Sequence, residues 1–362
     1  MKRLFGIATL LLHLQCLANM ANPVMEGTLG GSPFVNAYVD ISHEDIYIQI
    51  NEHFELASFK IAYHISSSKE GIQIPFLFYA SEYADDFSVK LNGKPLLIQT
   101  IPSAYNIPER TKFNDFAYFF EKPAYTDYSQ VLLEDAPGSG FQIALKDMIY
   151  FEADIPQGTH IIEVSYKANK WTDSWDWIKE YSFRYALSPA KYWKSFGSLS
   201  VKIEAHRCDY ELSTNLGDPQ MGNLNEIAEW EFDHLPAEIL KISYVPKISS
   251  TAQSLIALQP SGLALITGLF LALIHFYIML RYRKRFPHKR FSIVLILGSI
   301  LVPFIFLLSW MYYFDFIDYQ IGIHAGRAHG YTFISMVFYP LILAIYGLVF
   351  WLIDRRLRIK FS

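Results

Sequence analysis

The sequence predicts a mainly β extracytoplasmic domain, antiparallel and sandwich-like, built as one or two sub-domains and followed by a three-helix transmembrane bundle. Three observations carry this expectation. Residues 38–244 are dominated by apolar and polar side chains alternating with period two, the pattern of strands with one buried face. Three uninterrupted apolar stretches then close the chain, Gly262 to Leu280, Phe291 to Phe314 and Tyr331 to Ile353, each long enough to cross a bilayer core of about 30 Å. Finally, the cations sort to one side of these stretches. Arg281, Arg283, Lys284, Arg285, Lys289 and Arg290 lie between the first two, and Arg355, Arg356, Arg358 and Lys360 follow the third, whereas only Arg327 lies between the second and third. The positive-inside rule therefore places the basic segments in the cytoplasm and everything before the first stretch outside it.

The expected organisation follows in chain order. Residues 1–21 read as a signal peptide: Lys2 and Arg3 precede an apolar run from Leu4 to Leu14 that is too short to span, with cleavage after Ala18 or Ala21. Gln15 before Cys16 argues against lipidation there. Residues 22–250 form the β-rich domain, 254–280 the first transmembrane helix and 281–290 a basic loop. Then come 291–314 as the second helix, 315–330 as an outer loop, 331–353 as the third helix and 354–362 as a basic tail. This is a multi-pass protein of the cell membrane with its C-terminus in the cytoplasm.

Charge is opposed between the two parts. Residues 22–253 hold 18 Lys and Arg against 32 Asp and Glu, a balance of −14, while residues 254–362 hold 11 against 3, a balance of +8. The acidic part cannot displace counterions from nucleic acid, so nucleic acid is excluded as its partner. Removal of the signal peptide leaves Cys208 alone, so the mature chain forms no internal disulfide and relies on its core. Cys208 reads as a small strand residue. The absence of an Asn-x-Ser/Thr acceptor in the region points to a bacterial source.

Within the β region, Ile46, Ile48 and Ile50 share a face against Tyr47 and Gln49, and Phe59, Ile61, Tyr63 and Ile65 alternate with Lys60, Ala62 and His64. Ile162, Val164 and Tyr166, then Leu199, Val201 and Ile203, repeat the pattern. Asn92-Gly93 is the best hairpin signal, since both residues tolerate the positive φ of a type I′ turn. Residues 101–140 carry Pro102, Pro108, Pro123 and Pro137 and read as an insertion, with a short helix expected near Ser129 to Glu134.

Four groups of residues invite a chemical reading. Ala264, Gly268 and Ala272 recur every four residues on the first span and suit close helix packing, although small residues are common in such helices. His275 is the ionisable residue in that span's apolar core, without a titratable partner expected in the other two cores, which favours a hydrogen bond over a proton relay. Asp315, Asp318, His324 and His329 offer carboxylate and imidazole ligands for a metal such as zinc, but the five-residue step between the histidines matches no metal signature, and a water-exposed loop beside an aromatic belt accounts for the same composition. Trp171, Trp175 and Trp177 suit a ligand or interface surface, and equally core packing or lipid contact. No sequence motif for catalysis, phosphate binding or a cofactor is present, so no cofactor is expected.

The ectodomain resembles a family of secreted bacterial proteins built on a domain of unknown function. The resemblance rests on Gly30-Gly31, on Ile41 to Ile48 leading into Phe59 to Tyr63, and on Tyr185-Ala186-Leu187, Trp193, Gly197 and the strand closing at Pro236 to Tyr244. It implies a β-rich extracytoplasmic domain and transfers no site residue. The expected role is a non-catalytic membrane-anchored binding or assembly module of the bacterial envelope, partnered by the lipid bilayer and another membrane or envelope protein. An enzyme or metal site at the outer loop, and a transporter or channel subunit, are the alternatives.

Overall fold

The computed structural model describes residues 25–26, 29–31, 39–81, 83–99, 120–121, 130–136, 139–144, 148–205, 210–326, 329–330 and 332–361. The signal-peptide reading of residues 1–21, together with Cys16, Cys208 and Arg327, lies outside them. Two compact units divide the chain: a β unit of residues 25–173 and 180–245, and a helical unit that contains residues 174–179 and 246–362.

The strands that matter in the β unit are β1 (Val39–Ile50), β2 (Leu56–Ser67), β3 (Gly71–Ser81), β4 (Tyr83–Leu91), β5 (Met148–Ile155), β6 (Gly158–Asn169), β7 (Trp171–Asp173), β8 (Glu180–Ala186), β9 (Phe196–Glu204), β10 (Ile227–Phe232) and β11 (Ile239–Tyr244). An eight-stranded sheet runs from residues 221–222 through β10, β9, β1, β2, β6 and β4 to residues 94–95. The second sheet runs from residues 25–26 through β7, β8, residues 29–31, β3 and β5 to residues 98–99, and β11 joins it through β8. Residues 120–121, 130–136 and 139–144 form a small third sheet.

Register explains the core. Trp230, Val201, Ile46, Ile61, Val164 and Val89 are successive cross-strand partners over six strands, so one row of side chains faces one way. Each is at most 2% exposed. Phe76, Phe78, Phe151, Phe183, Tyr185, Leu240 and Ile242 from the second sheet join the same cluster. Phe54 meets Phe183 at 4.6 Å, Phe59 stacks on Tyr166 at 5.0 Å, and the Tyr63 and Tyr185 hydroxyls lie 2.5 Å apart. At 25 cal/mol per Å² of apolar surface, burying each such ring stabilises the unit by roughly 2–3 kcal/mol.

The expected alternation is found in β1, β2, β6 and β9, whereas β5, β8 and β11 are buried along most of their length, and the hairpin forms where Asn92 (φ 48°) and Gly93 (φ 76°) both take positive φ. Two expectations are corrected. The sheets are not wholly antiparallel: β9 pairs parallel to β1, and residues 29–31 pair parallel to β8. Period-two patterning is the same in either direction. A parallel pair needs a long crossover rather than a tight turn, and everything between β1 and β9 serves as one. At this junction an added Cβ on Gly197 would lie 2.0 Å from the Ser42 carbonyl oxygen, so the close approach requires glycine. The helix expected near Ser129 to Glu134 is instead the strand Gln130–Ala136, antiparallel to Ser139–Ala144. A short apolar run does not separate helix from strand by period, and an adjacent ladder partner decided it.

The helical unit holds α1 (Ser250–Arg285), α2 (Ile293–Ile321) and α3 (Tyr339–Phe361), and the helical stretches Ser250–Arg285, Ile293–His324 and Thr332–Phe361, 3-10 segments included, are long and apolar enough to cross a membrane. Ser249 caps α1 by accepting the Ala252 N–H, and Ser292 caps α2 by accepting the Leu295 N–H. Within α1 the helix breaks at Gln259 (φ 58°, ψ 158°), just before Pro260. Proline denies its predecessor the helical conformation, and here the alternative is a strained one for a residue with a Cβ. The portion from Pro260 onward, about 39 Å at 1.5 Å per residue, still exceeds an apolar core of about 30 Å.

Each helix runs past at least one end of its apolar stretch, and the third expected helix, 331–353, begins as 3-10 helix over Thr332–Phe338 before α3. Asp315 and Asp318, expected in a loop, lie on α2, and Arg281 to Arg285 and Asp354 to Lys360, expected in a loop and a tail, lie on α1 and α3. Cations in the last turn of a helix are favoured by its dipole, so nothing stops the helix where the apolar run ends.

Candidate functional site

The sequence-predicted polar residues between the second and third stretches are brought together only in part. Gly322 (φ 79°) ends α2 in the left-handed region, with its N–H returning to the Asp318 carbonyl. A short 3-10 turn over Gly322–His324 then carries the chain into Ala325. Here residues 174–179 join the helical unit as a strap. Ile178 forms an antiparallel bridge with Ala325, the Lys179 N–H donates to the His324 carbonyl at 2.8 Å, and the Gly326 N–H donates to the Trp177 carbonyl at 2.9 Å. The Lys179 ammonium reaches the Ile323 carbonyl at 3.1 Å. An added Cβ on Gly326 would sit 1.8 Å from the Asp176 carbonyl oxygen, so only glycine admits the strap.

Above this bridge, His329 Nε2 lies 2.8 Å from an Asp318 carboxylate oxygen. Trp177 sits 4.3 Å from the His329 ring and stacks on Phe314, and Phe314 also touches His329. Below it, Ala325 packs with Ala252, Ile317 and Ile321 in a small apolar cluster that includes Trp177 at its edge. The imidazole thus lies tilted against both aromatic rings and is oriented by one carboxylate. Asp315 is exposed on α2, three residues before Asp318, and His324 contributes its carbonyl to the strap. Among the described residues no group of three His, Cys, Asp or Glu is placed to hold a metal.

The tryptophans part company. Trp175 (61% exposed) and Trp177 belong to the helical unit, while Trp171 is buried in the β unit with the Arg184 guanidinium 4.8 Å from its ring.

His275 is a three-helix clamp. One ring nitrogen lies 2.9 Å from the Tyr346 hydroxyl on α3 and the other 3.1 Å from the Val294 carbonyl on α2, and Phe350 stacks on the ring at 4.5 Å. The expected absence of a titratable partner is corrected by Tyr346, a half-buried phenol. Gly298 makes room: a Cβ there would lie 2.2 Å from the imidazole. The small-residue row faces inward as well, with Ala264 fully buried and Gly268 so placed that a Cβ would meet the Phe306 ring at 2.9 Å. Ala272 is half-buried on the same row.

The sequence reading missed a buried ion pair in the helical unit. Arg283 and Asp354 form a bidentate pair, with Arg283 Nε donating at 2.7 Å and the second guanidinium nitrogen closing the pair. Only 1% and 7% of these side chains is exposed. Asp354, the lone acid between the third apolar stretch and its basic tail, was the available signal. In the β unit, His43 links Ser198 at 2.6 Å to Asp45 at 3.1 Å, Asp45 continues to His64 at 2.9 Å, and Ser200 joins His43 to Glu231. These residues alternate with core positions, so they form a partly exposed ladder on the outer sheet face. Nearby, burial together with the hydrogen bond to Glu204 pushes the Tyr47 phenol up to about 12, leaving it a donor at neutral pH.

No family model and no curated protein matches the chain. Among solved structures, native yeast leukotriene A4 hydrolase is similar at 7% identity and a TM-score of 0.29, over 57% of this chain and 29% of that one. The M1 zinc metallopeptidase from Deinococcus radiodurans is similar at 8% identity and a TM-score of 0.27, over 59% and 46%. The matched region therefore spans under a third of the yeast protein and under half of the bacterial one, and likeness at this level carries no argument about fold or activity.

Proposed function

We propose that the protein is a non-catalytic, membrane-anchored binding or assembly module of the bacterial envelope. Its β unit is read as a sandwich outside the cytoplasm, and the basic ends of its helices as cytoplasmic. The observation that carries this reading is the strap: residues 174–179 are bonded through their backbone to the turn after α2. The chain consequently passes between the two units at residues 173/174 and 179/180 as well as at 245/246. Three such chain crossings suit a β-rich module anchored through its helices. The uses found for the candidate reactive residues agree, since Asp318 with His329, and His275 with Tyr346, are engaged in holding elements together.

The test is a photo-crosslinking scan in native membranes, with the reactive residue at exposed β-unit positions such as Met221 and at lipid-facing Phe270 as a control. The expected result is a discrete protein adduct from the β unit and none from position 270. A strictly monomeric protein in mild detergent with no adduct anywhere on the β unit overturns the reading. A green fluorescent protein fused after Ser362 should fluoresce, because that end is cytoplasmic in this reading.

The Asp318–His329 dyad supports a second reading, a reactive site at the strap, because a carboxylate-oriented imidazole is a general-base arrangement. Purified protein that binds zinc in proportion, and loses it in His329→Ala, would favour this reading over the first.

A further inference from the structure

A cavity of about 360 Å³ lies at the basic end of the bundle, between the first turn of α2 and the last turns of α3, lined by Arg283, Arg290, Ser292, Asp354, Arg355 and Arg358. Arg283 and Asp354 neutralise each other. Arg283 also donates to the Lys289 carbonyl at 2.7 Å, which ties the connection that carries Arg290 to the cavity wall. Three guanidinium groups remain, of Arg290, Arg355 and Arg358, and none has a carboxylate within ion-pair distance among the described residues. Arg290 lies 5.5 Å from the Phe291 ring and Arg355 lies 5.9 Å from the Trp351 ring. Guanidinium groups resting on aromatic faces keep their N–H edges available for a planar or tetrahedral oxyanion. The N-terminus of α2, a 29-residue helix, adds its partial positive charge beside the same space.

The surroundings state what kind of anion fits. Phe291 and Trp351 are 73% and 47% exposed beside the cavity, and Ile296 at its lip is 52% exposed, so an apolar surface continues from the cationic wall along the helices. A phosphate group carrying acyl chains meets both surfaces at once. A zwitterionic headgroup would bring its own cation among three arginines, with the one carboxylate already engaged.

We propose that this cavity binds the phosphodiester headgroup of an anionic phospholipid, of the phosphatidylglycerol or diphosphatidylglycerol class. The proposal rests on reading the helices as membrane spans. Anionic lipid would bridge α2 and α3 where their own charges repel, so the bundle would be completed by its solvent.

Native mass spectrometry of the full chain, released from mild detergent after incubation with phosphatidylglycerol, diphosphatidylglycerol or phosphatidylcholine, tests it. The expected result is retention of the two anionic lipids by the unaltered protein, with retention falling about tenfold or more in Arg290→Gln/Arg358→Gln. Equal retention by that variant, or equal retention of phosphatidylcholine, overturns the proposal. Inorganic phosphate forms a separate arm: if it displaces the lipid at millimolar concentration, the site is for a soluble phosphate and the lipid assignment fails. Should the double variant not fold, Arg358→Gln alone is read against the same controls, with a loss of about threefold expected and no loss overturning the site. Alkaline carbonate extraction separates the two levels. A protein that is extracted refutes the membrane reading, whereas one that resists extraction and shows no lipid preference refutes only the site.

Discussion

The β unit and the helical unit of this chain are built inside out relative to each other. In the β unit the largest fully buried side chains are aromatic, among them Trp230, Tyr63, Tyr166, Phe59 and Phe76, and the ion pairs Lys202–Glu229 and Lys194–Asp40 lie toward the surface. In the helical unit Leu269, Phe270 and Leu273 are 57%, 62% and 67% exposed, while Arg283, Asp354 and His275 are buried. The difference reports two solvents. Water drives apolar groups together and hydrates charge, whereas lipid tails give apolar groups no reason to leave the surface and make polar contacts between helices the specific ones. Buried charge in the β unit is engaged too: Glu44 accepts a hydrogen bond from the Tyr185 hydroxyl at 3.0 Å, and Arg184 donates to the Ser182 hydroxyl at 3.0 Å.

The contrast can be broken most strongly at Arg283. Asp354→Leu strands the guanidinium without its partner and is expected to cost about 3–5 kcal/mol, read as a lowered melting temperature in detergent. Arg283→Met combined with Asp354→Leu should recover most of that loss, and failure to recover it would show that the pair's role is not confined to mutual neutralisation. The β-unit counterpart is Phe59→Ala, expected to cost about 3–5 kcal/mol by opening a cavity between rings. Hydrogen exchange on the full chain should assign that loss to the β unit alone and find it unchanged between detergent and lipid nanodiscs. A loss that depends on the lipid would erase the two-solvent distinction.

A smaller effect is expected at Gly298. Placing a methyl group against the His275 ring in Gly298→Ala should destabilise the bundle by about 1–3 kcal/mol through overpacking. His275→Ala in the same chain should relieve the clash but lose the links to Tyr346 and Val294. A Gly298→Ala protein with unaltered melting would mean that the helices are free to separate at that level.

The smallest effect lies at the β-unit surface. Hydrogen bonds from Lys194, at 2.7 Å, and from Ser195 lower the Asp40 carboxyl from its ordinary value. A carboxyl with a lowered folded-state pKa adds stability above its unfolded value, about 3.9, and loses it as pH falls through the folded one. Asp40→Asn should therefore be less stable than the unaltered protein at pH 6, by well under about 1 kcal/mol for so exposed a pair, with the difference shrinking below pH 4. Denaturant titrations at pH 6 and pH 3 decide this, and a gap that widens on acidification would reverse the sign of the argument.

What was legible in the sequence follows from which interactions are local. Alternation at Ile46, Ile48 and Ile50 marks a buried face whichever strand lies alongside, so the strands were readable but the parallel partnership of β1 with β9 was not. The connection between those strands exceeds any turn signal, and pairing direction leaves no mark on the alternation. The Asn92-Gly93 turn was readable because positive φ is a property of those two residues. Of the metal candidates, Asp318 and His329 meet, yet the partner that packs them, Trp177, comes from residues 174–179, which nothing in the sequence joins to the turn after α2. Arg283 and Asp354 are 71 positions apart, and each looked like a member of a solvated basic segment.

By itself the sequence determined that this chain has an acidic β-rich part and three apolar stretches with cations sorted to one side, because composition and period act within single segments. The tertiary structure alone decided that α1 to α3 extend beyond those stretches, that Gly298 is a seat for His275, and that a lone acid is placed to neutralise a buried arginine. It also decided that a six-residue strap belongs with the helices. Each of these depends on surfaces that become neighbours only after the chain has folded, when packing and desolvation set the interactions rather than order along the chain.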